Sequence, residues 1–264
     1  MDLQLKDKTA LVTGSTVGIG FATAQILANE GAAVVINGRS TERVHEAMHQ
    51  IKANNPQAKL IAGPADLSNK KDIESLIHQL PTVDILINNV GIYEPKPFDD
   101  ISDEEWLHMF DVNVMSGVRL SRHYLAPMLK KNWGRIIFIS SESGLQIPPE
   151  MIHYGMSKTA QLAITRGLAE TTVGTEVTVN SVLPGPTSSE GVSQFVKDVG
   201  KEQNKSPEEV EKEFFTTIRP SSLIKRFTTP EEIANIVVFL CSPLSSATNG
   251  AAIRAEGGII RAIA

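Results

Sequence analysis

Short runs of β-branched and other apolar residues alternate along the chain with longer amphipathic stretches. The apolar runs predict strands at residues 9–13, 33–37, 60–62, 84–88, 135–140 and 177–183. The amphipathic stretches predict helices, among them residues 18–29, 41–54, 70–79 and 154–171. Strands that alternate with helices indicate right-handed β-α-β units, so we predict an α/β fold with a doubly wound parallel sheet and helices on both faces.

One segment, residues 186–222, is more polar and more highly charged than the rest of the chain. It lies between the sixth predicted strand and a last predicted helix at residues 230–240. Apolar residues such as Phe214 and Phe215 give residues 207–218 a helical pattern. We therefore predict a single domain over residues 1–264 with a helical substrate flap at about residues 186–222, and we use the name substrate flap for this segment.

Composition and charge exclude several classes of protein. Of 264 residues, 41% are hydrophobic, which is ordinary for a globular chain and excludes wholesale disorder. The net charge of −5, with lysines clustered only as pairs, argues against a nucleic-acid partner. Cys241 is the single cysteine, so neither an intramolecular disulfide nor a cysteine-based zinc site is expected, and we predict no metal site. The charged start and apolar runs of about six residues predict no membrane partner and a cytoplasmic location.

Three glycines follow the first predicted strand and precede the first predicted helix. They are Gly14, Gly18 and Gly20, in the order G-x-x-x-G-x-G. Glycines allow a tight turn whose backbone N–H groups approach a pyrophosphate, and the N-terminus of the helix adds a positive dipole. Turn geometry alone also explains such glycines, but their position after the first strand of alternating strands and helices favours a dinucleotide site.

The ends of the second and third predicted strands carry the residues that indicate which dinucleotide binds. An acidic residue after the second strand would bind a ribose 2′-hydroxyl, whereas an arginine meets a 2′-phosphate. Here Gly38 is followed by Arg39 and Ser40, which predicts that NADP(H) is preferred and leaves NAD(H) open. A solvated arginine in a turn is the alternative. Asp66, after the third strand, is expected to cap the next helix, to bind an adenine amino group, or both.

Three further side chains suggest proton chemistry at the same edge of the sheet. Tyr154 and Lys158 lie four residues apart and share one face of a predicted helix. A nearby ammonium favours the phenolate, so Lys158 is expected to lower the pKa of Tyr154 and make it a general acid and base. Ser141 follows the fifth strand, where its hydroxyl can donate to a carbonyl oxygen. Asn113 lies in a helical stretch between apolar neighbours, and the alternative interpretation is that it is an ordinary polar residue on the surface.

Taken together and in this order, these motifs resemble the short-chain dehydrogenase/reductase superfamily in its single-domain branch. The resemblance covers nearly the whole chain and rests on the turn at residues 13–20, Asp66, the Asn-Asn-x-Gly segment at residues 88–91, Asn113, Ser141, Tyr154 with Lys158, and Pro184 with Gly185. It implies a Rossmann-type, three-layer α/β/α fold of about seven strands. The segment at residues 255–258 resembles the last strand of the family, which implies a homotetramer or a dimer.

The resemblance also implies the functional residues. The catalytic set is Asn113, Ser141, Tyr154 and Lys158, with Tyr154 transferring the proton, Ser141 polarising the substrate oxygen, Lys158 holding the ribose and Asn113 supporting a water relay. The implied cofactor-binding residues are Gly14, Ser15, Gly18, Ile19, Gly20, Arg39, Ser40, Asp66, Leu67, Asn89, Gly91, Tyr154, Lys158, Pro184, Gly185 and Thr187.

Three positions depart from the family pattern. Val90 replaces the usual alanine of the Asn-Asn-Ala-Gly segment. Val17 stands where many NADP-dependent members carry a basic residue, so Arg39 would act without that helper. Ser189 stands where a threonine is common, so either Ser189 or the nearby Thr187 would contact the nicotinamide carboxamide.

The leading hypothesis is an NADP(H)-dependent oxidoreductase acting on a secondary alcohol or ketone. One alternative is a 3-oxoacyl-[acyl-carrier-protein] reductase; another, from a different class, is a non-catalytic dinucleotide-sensing regulator. A regulator would be expected to lack Tyr154 or Lys158, and both are present. Carrier-protein reductases resemble one another in basic residues at the end of the Tyr/Lys helix, whereas residues 169–176 here contain Glu170 and Glu176 and no base. We therefore predict a free carbonyl substrate.

Overall fold

The described residues form one parallel sheet of seven strands, in the order β3-β2-β1-β4-β5-β6-β7. The structure is a computed structural model that describes residues 1–263, with the side chains of residues 190, 191, 194, 195 and 198 outside the description. The strands are β1 (Thr9–Val12), β2 (Ala33–Gly38), β3 (Lys59–Pro64), β4 (Ile85–Asn88), β5 (Gly134–Ile139), β6 (Val177–Pro184) and β7 (Ala252–Ala255). The predicted doubly wound parallel sheet is confirmed.

The position of the ligand cleft follows from the strand order. β1 pairs with β2 on one side and with β4 on the other, so the chain reverses its direction of winding at β1. Loops that leave the carboxyl ends of β1 and β4 therefore diverge and leave a crevice between them, which is where open α/β sheets bind ligands. The predicted site residues lie at the carboxyl ends of strands of this sheet or in the connections that follow them, with Pro184 as the last residue of β6.

Helices cover both faces of the sheet because alternate strand residues point to opposite sides. Ala10 and Val12 of β1 are buried on the face covered by α1 (Gly18–Asn29), α2 (Thr41–Asn54) and α9 (Pro230–Cys241). Leu11 is buried on the other face, against α3 (Lys70–Gln79), α5 (Ser116–Lys130) and α6 (Ile152–Glu170). The predicted three-layer arrangement is confirmed.

Two elements, β7 and α7, differ from the sequence-based prediction. β7 joins the sheet beside β6, although its four residues include Arg254 and form no apolar run. The substrate flap contains two helices rather than one, α7 (Glu190–Gln203) and α8 (Pro207–Thr217). α8 begins with a capping box in which Ser206 and Glu209 exchange hydrogen bonds, whereas α7 begins after the capping residue Ser189 without such a box.

A wide helical turn joins α4 (Asp103–Phe110) to α5. Residues Asp111–Met115 form a π-helix, and Asn113 lies in the middle of it. Such turns are rare within α-helices and often occur at functional sites. Among residues 1–263, no helix is both long enough and apolar enough to cross a membrane.

Candidate active site

The glycine turn between β1 and α1 is built for close approach of a ligand to the backbone. Gly14 and Gly18 both have φ of +60°, a conformation that glycine adopts without cost. At Gly20, a Cβ atom would lie 2.4 Å from the Gly14 carbonyl oxygen, so a larger residue would push the turn apart. Asn89 stabilises the turn from the neighbouring strand, because its Nδ2 donates to the carbonyl oxygens of Thr13 (2.9 Å) and Gly14 (3.1 Å).

The end of α1 at this turn can receive an anion. The residue that precedes the helix, Val17, makes no side-chain capping hydrogen bond in the described structure. The first N–H groups of an α-helix lack partners within the helix, and they carry the positive end of its dipole. A pyrophosphate is the group that this arrangement accommodates.

Ser15 and Asn37 hold the turn from below. The buried Ser15 hydroxyl accepts a hydrogen bond from the Asn37 backbone N–H at 2.9 Å. The Asn37 side chain in turn accepts from the Gly14 N–H (3.1 Å) and donates to the Gly63 carbonyl (2.9 Å). Ser15 therefore supports the cradle and does not line the cleft, and Asn37 is a supporting residue that the sequence analysis missed.

The end of β2 has little room for a side chain. A Cβ atom at Gly38 would lie 2.6 Å from Cγ2 of Thr16 in the glycine turn. The next residue, Arg39, is exposed at the rim of the cleft. Ser40 precedes α2 and caps it, because its hydroxyl accepts from the Arg43 N–H at 3.3 Å. A glycine, an arginine and a helix N-terminus therefore meet at one corner, which is the environment predicted for a 2′-phosphate.

Asp66 lies beside this corner but does not cap α3. Asn69 is the capping residue, and Asp66 instead accepts hydrogen bonds from the N–H and the hydroxyl of Ser68 at 2.9 and 2.8 Å. Partial burial opposes ionisation of Asp66, but the Ser68 hydrogen bonds and the charge of Arg39 outweigh it and hold its pKa below the usual range. The capping alternative is therefore wrong, and the carboxylate faces the cleft.

Ser141, Tyr154 and Lys158 line the cleft together, as predicted. Ser141 follows β5, and Tyr154 and Lys158 lie in the first half of α6. The Lys158 Nζ donates to the Ile139 carbonyl at 2.9 Å and lies 3.4 Å from Oε1 of Gln161. Burial lowers the pKa of Lys158 to about 8.

Tyr154 does not show the lowered pKa that the sequence predicts. Loss of water around its hydroxyl raises the pKa of Tyr154 above its ordinary value, the neighbouring Ser141 lowers it, and the negative charge of Glu142 raises it further. The Lys158 Nζ is bound to the Ile139 carbonyl and lies 5.6 Å from the centre of the tyrosine ring. The phenol therefore holds its proton firmly in this structure.

Asn113 is buried rather than on the surface, and it connects three elements. Its Oδ1 accepts from the Ile92 N–H at 2.7 Å, and its Nδ2 donates to the Ile92 carbonyl (2.9 Å) and the Ser157 hydroxyl (2.9 Å). Gln161 Nε2 donates to the Asn113 carbonyl at 2.6 Å. Asn113 thus ties the loop after β4 to α6 from behind the cleft.

The wall opposite Tyr154 is formed by the chain after β6. A Cβ atom at Gly185 would lie 2.8 Å from the Glu256 backbone, so Gly185 permits close contact with the C-terminal segment. Thr187 is buried, with its hydroxyl at 2.9 Å from both the Gly185 carbonyl and the Thr228 hydroxyl. Ser189 accepts from the Val192 N–H and caps α7. Both hydroxyl residues line the cleft, so the choice between them for the carboxamide stays open.

These residues surround a cleft of about 990 Å³, which is within the range of cofactor sites. Most predicted site residues line it, whereas Ser15, Gly20 and Asn113 lie behind it. The sequence analysis did not single out two buried charged residues of the wall, Glu142 and Arg219. Glu142 directly follows Ser141, but Arg219 lies 77 residues further along the chain, and only the fold brings them together.

Comparisons with known proteins agree with this geometry. The short chain dehydrogenase family model matches residues 8–200. The uncharacterized oxidoreductase YvaG of Bacillus subtilis is 50% identical over 263 residues, which cover 100% of both chains. The 3-oxoacyl-[acyl-carrier-protein] reductase FabG of Aquifex aeolicus is 32% identical over 98% of this chain and 100% of its own.

A solved structure of a related protein has a similar fold. L-Sorbose reductase from Gluconobacter frateurii, complexed with NADPH and L-sorbose, is 28% identical, covers 100% of both chains and has a TM-score of 0.92. The seven-stranded parallel sheet of the described residues agrees with these matches. This chain belongs to the short-chain dehydrogenase/reductase superfamily and is an oxidoreductase of that superfamily.

Proposed function

We propose that this chain catalyses hydride transfer between NADP(H) and a free secondary alcohol or ketone. The observation that carries the proposal is that Ser141, Tyr154 and Lys158 line the same cleft as the glycine turn. A proton donor, a hydroxyl that binds the substrate oxygen and a dinucleotide cradle are the parts that such a reaction needs.

The residues of the cleft fit a dinucleotide cofactor that carries a 2′-phosphate. Gly91 and Gly185 line the cleft without a side chain, and an added Cβ would lie 3.2 Å from Lys158 Nζ at Gly91 and 2.8 Å from the Glu256 backbone at Gly185. Gly20, behind the cleft, allows the glycine turn to close, since its Cβ would lie 2.4 Å from the Gly14 carbonyl oxygen. The residues proposed to hold the cofactor are those of the glycine turn, Arg39, Ser40, Asp66, Leu67, Asn89, Gly91, Lys158, Pro184, Gly185 and Thr187. When bound, the nicotinamide supplies or accepts the hydride.

The protein groups then manage the proton. In the reduction, the Tyr154 hydroxyl, whose pKa is raised, is protonated at neutral pH and donates to the substrate oxygen; in the oxidation it takes the proton back. Ser141 hydrogen-bonds the same oxygen. Lys158 places a positive charge beneath the tyrosine ring, and Asn113 holds the loop that carries Ile92 against α6.

A free carbonyl substrate is favoured over one attached to a carrier protein because few basic side chains are available for an acidic partner. Arg166, near the end of α6, forms an ion pair with Glu170, and Lys131 forms one with Asp84. Complementary charge mainly sets the association rate and the specificity of such partners. The apolar residues Phe214 and Ile218 of the substrate flap narrow the cleft further.

A comparison of substrates tests this proposal. Oxidation of NADPH is followed with a panel of free ketones that includes L-sorbose, the ligand of the related solved structure, and with a 3-oxoacyl group on acyl carrier protein. We expect a higher kcat/KM for at least one free ketone. A carrier-bound substrate with a higher kcat/KM than every free ketone would assign the chain to the alternative, a reductase like the relative from Aquifex aeolicus. Turnover of neither would favour the dinucleotide-sensing regulator.

Gly38 is expected to resist conversion to an NAD-type site by a single substitution. Gly38→Asp places a carboxylate where a ribose 2′-hydroxyl would be bound, but its Cβ meets Thr16 at 2.6 Å. We expect Gly38→Asp alone to weaken binding of both NADPH and NADH. Gly38→Asp combined with Thr16→Ala, which removes the obstructing methyl group, should bind NADH more tightly than the parent does. Titration of cofactor fluorescence measures both constants, and a gain in NADH affinity with Gly38→Asp alone would contradict this.

The proposed assembly follows from the family resemblance, and the proposed location follows from the presence of a single cysteine. We propose a homotetramer, or a dimer, in the cytoplasm, with residues 186–222 acting as the substrate flap of a single domain. The buried thiol of Cys241 is compatible with a reducing compartment. Light scattering on the protein in solution distinguishes these assemblies from a monomer.

A further inference from the structure

A buried carboxylate lies beside the candidate catalytic serine. Glu142 is 4% exposed, and its Oε2 accepts hydrogen bonds from the Ser141 hydroxyl at 2.6 Å and from the Ser143 N–H at 2.9 Å. An ionised carboxylate only accepts hydrogen bonds, so Ser141 must be the donor. The single hydroxyl proton of Ser141 is therefore directed at Glu142.

This arrangement limits what Ser141 can offer a substrate. The Ser143 N–H also donates to the Ser141 Oγ, at 3.1 Å, and occupies one of its two lone pairs. One lone pair remains, and it can accept a hydrogen bond from the Tyr154 hydroxyl or from an alcohol. To donate to a carbonyl oxygen, as the sequence analysis expects, Ser141 has to turn its proton away from Glu142.

The other oxygen of Glu142 binds the substrate flap. Arg219 follows α8, and its Nε donates to the Glu142 Oε1 at 3.1 Å. The Arg219 side chain is 10% exposed, and Nη1 donates to the Ile218 carbonyl at 3.2 Å. Glu150 is a more distant partner, with 3.9 Å between its Oε1 and Nη1. A buried ion pair thus joins the flap to the residue that holds the serine proton.

The Glu142–Arg219 ion pair also affects Tyr154, the proposed proton donor. The Glu142 charge raises the pKa of Tyr154, and the positive charge of Arg219 lies against that carboxylate. Removing one partner of a buried ion pair leaves the other charge uncompensated. Loss of Glu142 and loss of Arg219 therefore change the field at Tyr154 in opposite directions, although both break the same contact.

We propose that Glu142 and Arg219 are positioning residues of the reaction: Glu142 fixes the direction of the Ser141 hydroxyl, and Arg219 transmits the position of the substrate flap to Glu142. This inference rests on the proposed function for the role of Ser141. A flap seated over the cleft keeps Arg219 on Glu142 and weakens the attraction of that carboxylate for the serine proton. Ser141 is then freer to bind the substrate oxygen when the flap is in place.

The pH profile of kcat/KM at saturating NADPH tests the pair. The groups that face Tyr154 are Ser141 and Glu142 from the loop after β5, Lys158 from α6 and Tyr93 from the loop after β4, with Arg219 and Glu150 beyond Glu142. We expect Glu142→Gln to move the profile to lower pH by about one unit and Arg219→Gln to move it to higher pH by a similar amount.

Three further variants serve as controls. Arg219→Lys keeps the charge and should keep the parental pH profile, even if kcat falls. The double variant Glu142→Gln/Arg219→Gln removes both charges and should return the profile towards the parent. Glu150→Gln, which changes a half-exposed carboxylate that is only 3.9 Å from Arg219, should leave the profile in place. Shifts in the same direction for Glu142→Gln and Arg219→Gln, or no shift in either, would overturn the proposal.

A second measurement needs no substrate and so separates failure of this inference from failure of the proposed function. Amide hydrogen exchange is recorded for the NADPH-loaded parent, Glu142→Gln and Glu150→Gln, and thermal unfolding confirms that each protein is folded. We expect the exchange rate of residues 207–222 to rise about tenfold in Glu142→Gln and to stay unchanged in Glu150→Gln. The exchange rate of β5 should be the same in the parent and in both variants. Unchanged exchange in residues 207–222 of Glu142→Gln would overturn the link to the flap.

Discussion

Tyr154→Phe is expected to reduce kcat by about 10²- to 10⁴-fold while it leaves NADPH binding nearly unchanged. The substitution removes the hydroxyl and keeps the ring, which packs edge-on to Tyr93 with 6.2 Å between ring centres. Lys158 keeps its hydrogen bond to the Ile139 carbonyl, so the cofactor side of the cleft is undisturbed. Steady-state turnover of the best ketone and fluorescence titration of NADPH measure the two quantities.

A matched control for this variant is Tyr124→Phe. Tyr124 is a buried tyrosine of α5, and its hydroxyl donates to the Leu80 carbonyl at 2.8 Å, away from the cleft. Its loss removes one hydrogen bond, which costs roughly 1 kcal/mol of stability, and should leave kcat unchanged. A Tyr154→Phe enzyme with nearly parental kcat would remove Tyr154 from the mechanism.

Arg39→Ala is expected to weaken NADPH binding by about 10- to 100-fold and to leave NADH binding close to that of the parent. A hydrogen bond to a charged group contributes about 1.5–3 kcal/mol, and each 1.4 kcal/mol corresponds to about tenfold in affinity. NADH lacks the 2′-phosphate, so it provides the internal control. The ratio of kcat/KM for the two cofactors measures the preference.

Two outcomes would contradict the assignment of Arg39. Equal kcat/KM for NADPH and NADH in the unmodified enzyme would show that the corner at Gly38, Arg39 and Ser40 does not select the phosphate. A parallel loss of both cofactors in Arg39→Ala would indicate damage to the pocket instead, since the charge of Arg39 also helps to keep Asp66 ionised.

The fold was largely predictable because its strands are buried on both faces and therefore form continuous apolar runs. β5 illustrates this, since its buried apolar run Ile136–Ile139 is continuous, whereas the wholly buried β6 keeps apolar residues on both sides of Asn180 and Ser181. β7 was not predictable in this way, because a four-residue strand that contains Arg254 has no such run. α7 was missed although its apolar residues, among them Val192, Val196 and Val199, recur at helical spacing, and neither a proline nor a capping box marks its start.

The candidate site was predictable wherever a local pattern carries the function. The glycine turn and the Tyr154–Lys158 spacing depend on backbone geometry within a few residues, so they are visible in the sequence. The Ser141–Glu142–Arg219 contact depends on two segments 77 residues apart, and nothing near Arg219 indicates its partner. The raised pKa of Tyr154 was likewise unpredictable from spacing, because it results from burial and from the negative charge of Glu142.

The wide turn at Asp111–Met115 changes the helical phase of the segment that contains it. Its hydrogen bonds span one more residue than those of an α-helix, and one residue corresponds to about 100° of rotation about the axis. α4 and α5 therefore present faces that do not continue one another, although they follow each other along the chain. Two backbone carbonyls of this turn are paired by side chains: Asn113 accepts from Gln161 Nε2, and Val112 accepts from the Ser116 hydroxyl. Shortening this turn by one residue would restore a regular helix and rotate the Asn113 side chain away from its hydrogen-bond partners, so the length of the segment matters here as much as the identity of its residues.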